Sequence, residues 1–167
     1  MKWITRERVK VDRVACPWLI KHFIDQEAEF VFLPEATDWS TIGDGVDGVV
    51  YDVPNCDLGH KGEDVSFDSM LKKYGLGDPV LQLLAEIVRA ADSHSTNPHP
   101  AGEGLRWIAH GFSALGLSDH EILEREFVVY DALYAECRRR LTVPVQREME
   151  RARSQFVSIP VLRGGDF

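Results

Sequence analysis

"SFDSMLKKYG", residues 66–75, is where the chain changes character. Ser66 stands where a helix N-cap is expected, and Gly75 where a helix stops, because glycine enters the left-handed conformation without steric cost. Ahead of this stretch, β-type runs alternate with short helical ones. "KWITRE" (2–7), "AEFVFLP" (28–34) and "GVVYDVP" (48–54) read as strands, and "PWLIKHFIDQ" (17–26) as a helix with Pro17 at its first position. Gly43, Gly45 and Gly48 punctuate the loop before the third strand. Strand, helix, strand, helix and strand predict a small βαβ-type sheet.

Beyond residue 65 the periodicity is helical. "DPVLQLLAEIVRAAD" (78–92) opens with Asp78 as cap and Pro79 at the first position, and Leu81, Leu84, Val88 and Ala91 form its apolar stripe. "SHSTNPHPAGEG" (93–104) reads as a loop. "LRWIAHGFSALG" (105–116) is a helix whose Leu105, Ile108, Ala109 and Phe112 face one way. Ser118 caps a long helix to about Arg140. "VQREMERARSQF" (145–156) is a further, mostly polar helix, and "VSIPVLRGGDF" (157–167) an extended arm. The expectation is an α+β fold in one domain spanning 1–167. Residues 1–64 form an α/β lobe with a small N-terminal sheet and short helices, and 65–167 a C-terminal antiparallel helical bundle.

The chain has 167 residues, 44% of them hydrophobic, enough for one good core. A formal net charge of -8 disfavours a duplex-binding surface, so no nucleic acid is expected as a partner. No apolar stretch is long enough to span a bilayer, and "MKWITRERVKVDRV" (1–14) lacks the apolar region of a signal peptide. Cys16, Cys56 and Cys137 are an odd number without a C-x-x-C pair, which fits a reducing cytoplasm rather than a disulfide framework.

The chemistry is sought among the charged residues in apolar surroundings. Asp131 interrupts "EFVVYDALYAEC" (126–137), and Asp92 falls on the face of Leu81, Ala85 and Val88. A buried carboxylate needs a partner or a metal. In an up-down-up arrangement Asp92 lies ~20 Å along its helix and Asp131 ~18 Å along its own, so the two meet at one level. Two converging carboxylates repel unless a cation or proton lies between them. The plainer alternative pairs each with an arginine, Arg89 or Arg13. His60 and Glu63 stand in the Gly-flanked loop "DLGHKGEDVSFD" (57–68), and a histidine with carboxylates makes an N/O set suited to Zn, Mn or Fe. The plainer alternative for His60 is a solvated loop residue.

His120 lies one turn from Glu124 and serves as a reserve ligand, its alternative being an exposed first-turn histidine. His22, His94, His99 and His110 are weaker candidates. Cys16, placed near the N-cap of the helix that Pro17 begins, is the candidate reactive thiol, with Arg13 as its anion-binding neighbour. The helix dipole would lower the thiol's pKa. Its alternative is a small buried cysteine behind Trp18. No Walker loop, G-x-G-x-x-G or G-x-S-x-G supports a nucleotide or serine-hydrolase reading.

Four segments together carry a resemblance: "TRERVKVDRVACPWLIKHFID" (5–25), "DVPNCDLGHKGEDVSFDSMLKKYGL" (52–76), "IVRAAD" (87–92) and "DHEILEREFVVYDALYAECR" (119–138). In this order they resemble the ChrB-type chromate resistance domain, from about residue 3 to about residue 140. Some members of that family add an N-terminal region and act as chromate-responsive regulators. This chain begins at the shared domain, so DNA binding is not expected of it. The family's "exported" label is not matched by this N-terminus. His60, Asp68, Asp92, His120 and Asp131 all fall inside the matching stretches, and for Asp68 a place in a first helical turn suffices.

The resulting expectation is a cytoplasmic metal-binding domain that senses or detoxifies chromate or the oxidative damage chromate causes. His60, Asp92 and Asp131 would hold a divalent Fe, Mn or Zn ion, with His120 in reserve and an open position for a small oxyanion. A homo-oligomer is compatible with this reading, and catalysis is left open. The competing expectations are a thiol-dependent redox enzyme using Cys16 and a non-catalytic binding module whose carboxylates pair with arginines.

Overall fold

The computed structural model describes residues 1–42, 47–92 and 98–157. Gly43, Gly45, His94 and the expected C-terminal arm beyond Val157 lie outside the described residues. Three parallel strands, β1 (Lys2–Arg6), β2 (Glu29–Leu33) and β3 (Val49–Val50), form one sheet in the order β2-β1-β3. Ile4 pairs with Val31 on one side and with Val50 on the other. The chain therefore crosses from one side of β1 to the other between β2 and β3. The ends of β1 and β3 lie side by side at that crossing, where open parallel sheets commonly hold ligands. The fold is α+β, with a small parallel sheet and helices, as the change of period near residue 65 predicts.

The first helix departs from expectation. α1 runs Val11–Leu19 and continues as a π turn over Ile20–Ile24, where the amide of Asp25 donates to the Ile20 carbonyl at 2.7 Å. Pro17 sits inside α1 rather than at its start. Proline costs helical stability because it lacks an N–H and crowds the preceding turn. Here tertiary packing outweighs that: every residue of α1 except Arg13 is buried. Cys16 consequently lies mid-helix, far from the helix start that would have activated it.

After the short α2 (Trp39–Ile42), the helices α3 (Ser66–Lys73), α4 (Pro79–Asp92), α5 (Pro100–Ala114) and α6 (Asp119–Val157) follow. α3 begins at Ser66, with Val65 as the cap residue, and Gly75 takes φ +64 just beyond its end. Asp78 accepts the Val80 amide at 2.8 Å at the start of α4, as the Asp-Pro pair implies. α5 begins five residues earlier than the periodicity suggests: Pro100 opens it, His99 Nδ1 accepts the Ala101 amide at 3.2 Å as its cap, and Gly102 lets it close on α4. A Cβ there would stand 2.7 Å from the Cβ of Ala90. Leu105 and Ala109 are buried in that seam, whereas Ile108 is exposed.

Ser118 and Glu121 form a capping box: the Glu121 carboxylate accepts the Ser118 amide at 2.9 Å and its hydroxyl at 2.8 Å. α6 then continues to Val157 and absorbs the separate last helix that the sequence suggested. Asp119 ties its start to the β1–α1 turn by accepting the amides of Arg8 and Val9 at 3.0 and 2.8 Å. One apolar core joins α1, α3, α4, α5 and the first half of α6. Among the described residues no helix is long and apolar enough to cross a membrane.

Candidate metal centre

Asp12 enters the site from the first turn of α1. Its carboxylate accepts the amides of Ser66 at 2.6 Å and Phe67 at 3.1 Å, so it caps α3 from another helix. The exposed donors at a helix start favour an anion there. Asp52 follows β3 in the left-handed region at φ 48, a conformation a non-glycine residue holds only where its surroundings compensate. That backbone turns its carboxylate onto Ser66 Oγ at 2.7 Å and Arg13 Nη1 at 3.2 Å, with Arg6 Nη2 at 3.7 Å. Asp92 is the last residue of α4. His60 comes from the loop before α3.

All three carboxylates close on one atom. His60 Nε2 is 3.2 Å from Asp12, 3.3 Å from Asp52 and 3.3 Å from Asp92. One imidazole N–H cannot satisfy three carboxylates, so the arrangement carries more negative charge than His60 neutralises. The titration directions express the same imbalance. Hydrogen bonds with Asp12 and Asp52 push His60 up to about 10. Burial first, then the charges of Asp12 and Asp52, push Asp92 up to about 7. Burial also raises Asp12. Burial acts the same way on Asp52, but hydrogen bonds from His60 and Ser66 and the charge of Arg13 outweigh it and hold that group low.

Ligand atoms of Asp12, His60 and Asp92 lie within 4.8 Å of one another. An ion bound at ~2.1 Å by oxygen and nitrogen needs neighbouring ligands ~3.0–3.4 Å apart, the spacing of His60 from each carboxylate. The donor set therefore fits a hard or borderline divalent ion. Beside it opens a cleft of about 250 Å³ lined by Arg6, Asp52, Val53, Pro54, Asn55 and His60.

Of the residues singled out in the sequence, His60 and Asp92 come together. Asp131 is placed elsewhere: it accepts Trp18 Nε1 at 2.8 Å, lies 3.4 Å from His22 Nε2, and its side chain is 52% exposed. The apolar run that was expected to enclose it leaves Val128 and Ala132 exposed as well, because one face of α6 looks outward. His120 is exposed and sets its ring edge-on to Phe32, with centroids 5.0 Å apart. Glu63 is exposed. Neither arginine proposed as a partner reaches Asp92 or Asp131. Arg13 pairs with Asp52, and Arg89 grips Asp68 at 2.6 and 3.1 Å.

Cys16 is corrected most sharply. It is fully buried, and its thiol lies 3.5 Å from Asp12 Oδ1. Burial, followed by the charges of Asp12 and Asp52, pushes that thiol well above its ordinary value, so it is not an acidic cysteine. The residues that sequence reasoning missed are Asp12 and Asp52. Each follows a strand of the parallel sheet within a few residues, and that position was the available signal.

Residues 3–137 match the protein family described as ChrB, C-terminal domain. A curated relative, "Protein ChrB" of Cupriavidus metallidurans, is 31% identical over 134 residues, which is 80% of this chain and 40% of that protein. The chain thus spans well under half the length of the relative. No solved structure matches.

Proposed function

This chain belongs to the ChrB family through that C-terminal domain, which associates it with chromate resistance, and from this premise we propose that it is a cytoplasmic metal-binding module that senses or detoxifies chromate or the oxidative damage chromate causes. The observation that carries the reading is the convergence of three carboxylates on His60 Nε2 at 3.2–3.3 Å. Asp12, His60 and Asp92 would hold a divalent Fe, Mn or Zn ion. Asp52, set by Ser66 and Arg13, would be a fourth ligand group, and the third to offer oxygen. A bound ion would supply Lewis acidity to an oxygen of a small anion in the cleft.

The chain's own residues define the rest. Arg6, at the end of β1, lines the cleft beside Asp52 and His60 and gives an anion a positive wall there. Asp12 cannot swing freely, because it holds the start of α3, so it presents a fixed oxygen to the site. The thiol reading loses support, since Cys16 is buried beside carboxylates.

The test is elemental analysis of untagged protein, with calorimetric titration of Zn, Mn and Fe(II) into the metal-free form. Wild type is expected to bind one ion per chain, and Asp92→Asn and His60→Ala at least tenfold more weakly, since removing even a group that only orients a ligand costs about 10–100-fold in affinity. Wild type that takes up no ion, and whose melting a chelator leaves unchanged, sinks the proposal.

A further inference from the structure

The run that opens at residue 126 does bury a carboxylate, but it is Glu126 rather than Asp131. The Glu126 side chain is fully enclosed, and among the described residues neither carboxylate oxygen has a hydrogen-bond partner. Its neighbours along the buried face of α6 are Ile122, Leu123 and Tyr130. The core that this face joins is built from Val11 and Val14 of α1, Leu84 and Val88 of α4, and Leu105 and Ala109 of α5. A carboxylate in such a place keeps its proton or leaves.

We infer that Glu126 is a pH-sensitive latch: its neutral carboxyl lets α6 dock on α1 and α4, and loss of its proton releases that part of α6. Tyr130, one turn on, marks what the latch holds. Its hydroxyl donates to the Val11 carbonyl at 2.9 Å, which pins α6 to the start of α1. Among the described residues no charged group is resolved as acting on Glu126 itself, whose surroundings act through burial; the groups that reach the neighbouring Tyr130 are Asp12 and Cys16 on α1 and Asp92 on α4. Glu126 acts on Tyr130 as well. The buried residues of α5 are Gly102, Leu105 and Ala109, none of them titratable.

Burial raises Glu126 from 4.5 to about 7. The folded state then holds a proton that the unfolded chain has already lost. Stability from this group is complete below the unfolded value and declines as pH rises to about 7. Across that window the folding equilibrium constant falls about 300-fold on account of this group.

The experiment is chemical denaturation of the full chain in metal-free buffer from about pH 4.5 to about pH 8.5, for wild type, Glu126→Gln and Glu126→Leu. Asp12, Asp92 and His60 titrate in all three proteins, so the difference between wild type and variant isolates Glu126. The variants are expected to gain on wild type by about two orders of magnitude in equilibrium constant as pH rises. Should Glu126→Gln fail to fold, Glu126→Leu carries the same comparison. Amide exchange supplies the local readout. Residues 122–130 of wild type should lose protection at high pH beyond the chemical rate, and those of the variants should not. Parallel pH curves for wild type and variants overturn the latch, as does a loss of protection spread evenly over the chain.

Discussion

Two histidines meet carboxylates in this molecule, and the surroundings give the two pairs different consequences. His60 stands among three aspartates, two of which are almost entirely enclosed. His22 meets Asp131 at 3.4 Å with both side chains about half in water, and it stacks on Trp18 at 4.9 Å between ring centroids. The contact distances differ little. Water screens the second pair, while the first must settle its charges within the protein or with an ion. Distance alone therefore does not mark a functional carboxylate; enclosure and the number of competing acceptors do.

The strongest way to break this contrast is to remove a carboxylate from the enclosed side. Asp12→Asn should cost about 3 kcal/mol, because the residue satisfies two amides at the start of α3 and faces the charge of His60. Urea unfolding at neutral pH measures it. A loss no larger than that of an exposed substitution would show that the cluster is not tightly coupled.

A second experiment sharpens the contrast through pH. The folded-state value of His60 is raised to about 10 from 6.5, so the stability it contributes is complete below 6.5 and is lost as pH climbs to about 10. The value of Asp92 is also raised, from 3.8 to about 7, so its ionisation removes stability across that lower window. Above the acid range in which Asp52, held low, takes up its proton, these two groups should weaken the metal-free protein as pH rises. His60→Gln should flatten the upper part of the curve. Ring resonances of His60 that titrate near their ordinary value would contradict the geometry.

The smallest effect is expected at the exposed pair. Asp131→Asn should change stability by less than about 0.5 kcal/mol, since the asparagine oxygen can still accept Trp18 Nε1 and water screens the rest. Metal content should not change either. A drop in both would return Asp131 to the candidate site and erase the distinction between the two histidines.

Much of this was legible before any coordinates. The three strands, the Asp-Pro start of α4, the Ser118 start of α6 and the stop at Gly75 follow from local chemistry: caps, prolines and alternation act over a few residues. His60 and Asp92 were also legible as chemistry-bearing groups in a loop and on an apolar stripe. Asp131 misled because an apolar run was taken as enclosed on all sides. In the same run Glu126 passed unnoticed, since a glutamate at the edge of a hydrophobic stretch looks like a boundary. Pro17 misled in a similar way, because proline favours a first helical position and only packing keeps it inside one.

The sequence by itself determined the three strands, most of the helices though not all their ends, the α+β class and the family, since these rest on periodicities and on ordered segments that the chain carries along its length. Only the tertiary structure decided which carboxylates share a site. Asp12, Asp52 and Asp92 are forty residues apart in turn and meet because a parallel sheet sets the ends of β1 and β3 together while α4 ends beside them. Enclosure is likewise a property of neighbours. No local pattern distinguishes the carboxylate that water reaches on α6 from the one that α1, α4 and α5 shut in.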